Sequence, residues 1–115
     1  MARKIDGEPY TRITAEEAKE ILEGGASILV DVRARDEYEE GHAAGATWIP
    51  VEEVMPRISE LEDTEKLLFI CQVGARSGLA AEYANAMGIE ADRLYNVEVG
   101  TPGWMSAGLP IETGA

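Results

Sequence analysis

Leu67-Leu68-Phe69-Ile70-Cys71-Gln72-Val73-Gly74-Ala75-Arg76-Ser77 is the stretch whose reading decides the fold. The first four residues are apolar without a break. A strand with one wet face alternates apolar and polar, so an unbroken run reads as a strand covered on both faces. The strand leads straight into a short glycine-bearing loop. Leu79–Met87, rich in alanine, then reads as a helix stopped by Gly88.

Working outward, the same logic recurs. Ile28-Leu29-Val30-Asp31-Val32 is a second apolar, β-branched run and reads as a buried strand. Between the two runs, Asp36–Glu40 predicts about one helical turn closed by Gly41. Thr47-Trp48-Ile49 predicts a shorter strand ended by Pro50. A helix is expected from about Met55 or Pro56 to Leu61, because proline is tolerated only near a helix start. Upstream, Thr14-Ala15-Glu16-Glu17 forms a capping box, and Ala18, Ile21 and Leu22 follow at helical spacing. This predicts a helix over Ala15–Glu23, stopped by Gly24-Gly25. Glu16, Glu17, Glu20 and Glu23 then read as its solvated face. Downstream, Leu94-Tyr95-Asn96-Val97 predicts a strand, and Thr101-Pro102 opens a last short helix that carries Trp104 and ends at Gly108. Strands alternate with helices, so the expected class is α/β, with a central parallel sheet covered by helices on both faces. Residues 1–12 read as a lead-in and 13–115 as one domain, which suits a chain of 115 residues with 45% apolar content.

Composition excludes several classes. One cysteine rules out an internal disulfide and any zinc site built from several thiolates. The first residues lack the apolar segment of a signal peptide, and no apolar run is long enough to span a bilayer. The expectation is a cytoplasmic protein that is not attached to a membrane. The net charge of -12 argues against nucleic acid as a partner, since phosphate backbones need a basic surface. Its simplest role is solubility; a sharper one is attraction of a basic partner.

Cys71 ends an apolar strand of an α/β sheet, where ligands bind. A lone cysteine there is most simply a small core hydrophobe. The residues after it change the reading. Gly74 permits a tight turn, and the amides of Gln72, Val73, Gly74, Ala75, Arg76 and Ser77 lead to a helix N-terminus, a ready anion cradle. The helix dipole and Arg76 add positive charge. Each of these favours thiolate over thiol.

Three motifs in order resemble the rhodanese family. The loop Cys71–Ser77 resembles its active-site loop. Val30-Asp31-Val32-Arg33 and Glu37-Tyr38-Glu39-Glu40-Gly41-His42-Ala43-Ala44-Gly45-Ala46 resemble its signature around the first strand. Gly100–Trp104 and Gly108-Leu109-Pro110 resemble its C-terminal signature. The resemblance runs from about Ile13 to Ile111. It implies a three-layer rhodanese-like domain and a sulfurtransferase. In that reaction Cys71 takes sulfane sulfur from a small anionic donor such as thiosulfate, holds it as a persulfide, and passes it to cyanide, a thiol or an acceptor protein. It implies that Gln72 through Ser77 bind the substrate, that Arg76 anchors the donor or steadies the loop, and that neither a metal nor an organic cofactor is needed.

Four residues lie between Cys71 and Arg76. Phosphatase-type members of the superfamily have five, a wider cradle suited to tetrahedral phosphate, so the shorter loop favours sulfur transfer. Two positions depart from the family pattern. Gln72 stands where active members often carry a basic residue, which leaves Arg76 as the loop's only cation. Val99-Gly100 stands where two glycines are common. The first departure keeps open an alternative: a sulfur-carrier or docking module loaded by a partner protein, with little thiosulfate turnover. Asp31 and Arg33, at the strand end, read either as supports of the loop or as a salt bridge pinning the sheet. His42 reads as structural, since a cradled thiolate needs no base. Trp48 and Trp104 read as packing residues, although Trp104 could wall the mouth of the site.

Overall fold

The computed structural model describes residues 2–114. In chain order it contains β1 (Arg3–Lys4), β2 (Thr11–Ile13), α1 (Ala15–Glu23), β3 (Ser27–Asp31), α2 (Arg35–Glu40), β4 (His42–Ala43), β5 (Thr47–Trp48), β6 (Lys66–Ile70), α3 (Ala75–Ala86), β7 (Leu94–Val97), α4 (Gly100–Ser106) and β8 (Ile111–Glu112). Six strands form one sheet in the order β1-β2-β7-β6-β3-β5. All neighbours run parallel except β1, which pairs antiparallel with β2. The remaining two, β4 and β8, form a small antiparallel pair.

The unbroken apolar run of β6 is explained by its place between β3 and β7, at the heart of the sheet. Side chains alternate across a strand. Leu67, Phe69 and Cys71 therefore face Ala80, Ala81 and Ala84 of α3, together with Val54, Ile58 and Leu61. Leu68 and Ile70 face the other way, toward Ala15 and Ala18 of α1 and Trp104 of α4. The alanines let α3 lie close to the sheet. Each large apolar side chain buried on either face stabilises the fold by about 1.5–3 kcal/mol. The sheet thus holds the carboxyl ends of β6, β3 and β7 side by side, and the loops that follow them meet.

Two expected helices need correction, and the lead-in has a structure that the sequence did not announce. It contributes strands to the sheet. Thr11–Ile13 pairs with Tyr95–Val97, and Arg3–Lys4 adds the edge strand. Tyr10 and Ile13 are buried there, an anchorage that so short a segment does not announce by periodicity. The expected helix over 55–61 is instead a pair of 3-10 turns, Val51–Glu53 and Ile58–Glu60, closed by Val54 N–H to Val51 O and Leu61 N–H to Ile58 O. Pro56 between them has no N–H to give a continuous helix. Finally, α3 begins at Ala75, not Leu79, so Arg76 and Ser77 belong to its first turn. The capping box of α1 is present, with Glu17 N–H bonded to Thr14 Oγ1 and Thr14 N–H to Glu17 Oε1. Among the described residues, no helix is long and apolar enough to cross a membrane.

Candidate active site

Cys71 immediately follows β6, and the chain from 72 to 74 folds over it before α3 starts. Two backbone positions make that fold possible. Gly74 has φ +90°, and a Cβ there would sit 2.8 Å from the Glu98 carbonyl oxygen. Gly100 has φ +66°, and a Cβ there would overlap the Gln72 carbonyl. Only glycine meets both demands, of left-handed backbone and of close approach. Thr101 N–H donates to the Cys71 carbonyl at 2.8 Å and fastens α4 to the loop. Val99, at the position where a second glycine is common, takes an ordinary right-handed conformation, and its side chain fills the space left free by Gly103.

The thiol is fully buried. Gly74 N–H donates to Cys71 Sγ at 3.1 Å, and Ser77 Oγ lies 3.2 Å from it. Burial pushes the Cys71 thiol up. Hydrogen bonds from Ser77, through its hydroxyl and its amide, and from the Val73 and Gly74 amides outweigh that and bring it below its ordinary value. The N-terminus of the twelve-residue α3 points the same way.

Behind the thiol runs a buried polar chain. Ser77 Oγ donates to Asn96 Oδ1 at 2.6 Å, and Asn96 Nδ2 donates to the Gly74 carbonyl at 3.1 Å. Asn96 thus grips both the hydroxyl beside the sulfur and the turn of the loop. Sequence reasoning did not single it out. Its one signal was an amide within a strand of largely apolar residues.

Arg76 stands at the mouth, but it is not free. Its guanidinium forms a two-bond fork with Glu37 of α2, at 2.7 and 2.9 Å. Glu37 also accepts the Ala34 N–H at 3.0 Å. The Arg76 fork, aided by that bond, holds its carboxyl down to about 2. Glu37 is a second residue whose importance the linear sequence conceals, since its partner is 39 positions away.

Asp31 and Arg33 meet at the end of β3. Asp31 is buried and pairs with Arg33 Nη2 at 2.8 Å. Arg33, itself only 3% exposed, also donates to the Gly41 carbonyl and, at 3.3 Å, to Gln72 Oε1. The pair pins the strand end and reaches the loop. Of the cradle residues, Gln72 faces this side, Val73 is 75% exposed, and Ala75 starts α3. His42 stacks on Tyr38 with ring centroids 3.7 Å apart, and its Nδ1 donates to the Tyr38 carbonyl; it makes no contact with Cys71 among its bonded partners. Trp48 Nε1 donates to the Arg33 carbonyl. Trp104 is buried on the α1 face, the opposite side of the sheet from Cys71, and does not wall the mouth.

Comparison with known proteins matches this architecture. The family model described as the rhodanese-like domain matches residues 14–107. The chain is 32% identical over 106 residues to the thiosulfate sulfurtransferase GlpE of Actinobacillus pleuropneumoniae serotype 3, covering 92% of this chain and 96% of that one. It is 36% identical over 117 residues to the HTH-type transcriptional regulator Rv0324 of Mycobacterium tuberculosis, covering 99% of this chain but only 50% of the regulator. Among solved structures, the rhodanese-like domain of the Alr3790 protein from Anabaena superposes with a TM-score of 0.78 at 28% identity, covering 92% of this chain and 80% of that one.

Proposed function

We propose, from the premise that this chain belongs to the rhodanese-like domain family, that it is a sulfurtransferase working through a persulfide on Cys71. The observation that carries the reading is the cradle itself: a lone buried sulfur receiving an amide N–H at the start of a helix, with its thiol shifted toward the anion.

The Cys71 thiolate attacks the outer sulfur of a donor such as thiosulfate. The donor's S–S bond breaks, its electron pair leaves on sulfite, and the outer sulfur stays on Cys71. An acceptor nucleophile, cyanide in the assay or a thiol in the cell, then attacks that sulfur and releases the Cys71 thiolate. The two half-reactions make ping-pong kinetics the expected pattern. The Val73, Gly74 and Ser77 amides hold the negative charge throughout, as fixed dipoles that need no reorganisation. No second cysteine exists to resolve the persulfide internally, so an external thiol or a second protein takes the sulfur. A reducing compartment such as the cytoplasm keeps that single thiol available. Since Sγ is buried, a donor reaches it only when the loop or the side chain shifts.

One observation favours the carrier reading as a second: Arg76, the only cation of the loop, is already paired with Glu37. The test of both is to incubate the purified protein with thiosulfate and weigh it intact without reductant. The expected result is a gain of one sulfur that a thiol reverses and that Cys71→Ser lacks. No gain, with Cys71 free and reactive, removes thiosulfate as donor and leaves the carrier reading.

A further inference from the structure

We infer that the mouth of this site is a docking surface for a basic polypeptide segment that carries the donor sulfur as a cysteine persulfide. The inference rests on the persulfide reading above and names the donor for it.

Every guanidinium near the mouth is already neutralised. Arg76 is paired with Glu37, Arg33 with Asp31, Arg12 with Glu8 and Arg3 with Glu98. Gln72 adds no charge. Among the described residues a free dianion such as thiosulfate therefore meets no unpaired guanidinium at this mouth, and it approaches a chain of net charge -12. The chain's negative field slows such an encounter and speeds that of a cation.

The surface around the loop fits a peptide better than a small ion. A groove of about 160 Å³ runs beside Gln72, floored by Thr101, Pro102 and Met105 and edged by Glu37 and Glu40. Glu40 is exposed and has no ion-pair partner among the described residues. Apolar side chains stand exposed at the same place: Val73 on the loop, Val99 beside it and Met105 in the groove. An apolar rim with unpaired acid at one edge complements a segment of apolar and basic residues. The chemistry balances with no added oxidant or reductant. The Cys71 thiolate attacks the outer sulfur of R–S–SH, the S–S bond breaks, its electron pair leaves on the peptide thiolate R–S⁻, and Cys71 becomes Cys71–S–SH.

The probe is a pair of synthetic peptides with one leucine-flanked cysteine persulfide, identical except for lysines in one and glutamates in the other. Loading of Cys71 is followed by intact mass under single-turnover conditions. At low salt the basic peptide is expected to load at least ~10-fold faster than the acidic one, a gap that closes to about 2-fold near 0.5 M salt. Glu40→Lys is expected to narrow the gap, and Val73→Ser to slow the basic peptide. Equal rates, or a faster acidic peptide, overturn the inference while leaving Cys71 loading intact. If neither peptide nor thiosulfate loads a reactive Cys71, the persulfide reading itself fails and this inference with it.

Discussion

The Arg76 guanidinium and the Glu37 carboxylate meet side by side at the mouth of the cysteine loop, Nη1 to Oε1 at 2.7 Å and Nη2 to Oε2 at 2.9 Å. A fork of this kind joins α2 to the first turn of α3, and it uses up the charge that a free anion would need. Glu37→Gln releases that charge. Its expected effect is a KM for thiosulfate lower by roughly 3-fold at low salt, an advantage that fades as salt rises. Steady-state kinetics with thiosulfate and cyanide at two ionic strengths measure it; an unchanged KM would mean that Arg76 does not reach the donor even when free.

The same pair sets an acid limit. Glu37 is held down to about 2 by Arg76, against an ordinary value of 4.5. Its folded value lies below its unfolded one, so the stabilisation is complete above the unfolded value and is lost as pH falls toward about 2. The pair is partly exposed, so its contribution is about 1 kcal/mol or less. Thermal melts of the native chain and Glu37→Gln should therefore differ by a constant amount above about pH 5 and converge toward pH 2.

Ser77 has one hydroxyl proton and two claimants. Asn96 Oδ1 holds it at 2.6 Å, which leaves the Ser77 oxygen to accept from the Cys71 thiol at 3.2 Å. When the thiol ionises, the hydroxyl must turn toward the sulfur to stabilise it. Asn96→Asp places an anion against that hydroxyl and removes the donor on the Gly74 carbonyl. The pH profile of Cys71 alkylation by uncharged iodoacetamide should move to higher pH, with a rate at neutral pH roughly 10-fold lower. Ser77→Ala should move it the same way by less. A profile that stays in place would show that this chain holds the loop's shape without tuning the sulfur.

Gly74 and Gly100 carry the cradle through positive φ and close contact. Gly74→Ala adds backbone strain of about 1–2 kcal/mol and pushes the new Cβ against the Glu98 carbonyl. Gly100→Ala, which drives a Cβ into the Gln72 carbonyl, should cost more. Urea midpoints order the two, and both variants should lose sulfur loading on Cys71.

Asp31→Ala leaves the Arg33 guanidinium buried without its charge partner. That error costs about 3–5 kcal/mol, a large share of the stability of a domain this size. Removing both charges, with Asp31→Ala and Arg33→Met together, should restore much of the loss in urea denaturation, because an apolar pair needs no counter-charge.

How much of this was legible in the linear chain differs by element. β3, β6 and β7 were readable because central strands of a parallel sheet are covered on both faces and show it as apolar runs. α1 was readable from a local capping box. The Thr11–Ile13 strand was not, because three residues beside a charged segment carry no period, and only pairing with β7 holds them extended. The segment around Pro56 has a composition that allows a helix, but the missing N–H leaves two short turns instead. At the site, Cys71 and its loop stood out because their chemistry is local. Glu37 and Asn96 did not, because each acts on a residue 19 or more positions away.

By itself, then, the order of residues determined the class of fold and the strand that ends in Cys71, since apolar runs and glycine turns act through their neighbours in the chain. Only the tertiary structure decided the state of the charges around that cysteine. Whether Arg76 serves an anion or Glu37, and whether Ser77 gives its proton to sulfur or to Asn96, depends on distances of about 3 Å between segments remote in sequence. Coulomb and hydrogen-bond energies fall too steeply with separation to be read before the chain has brought those groups together.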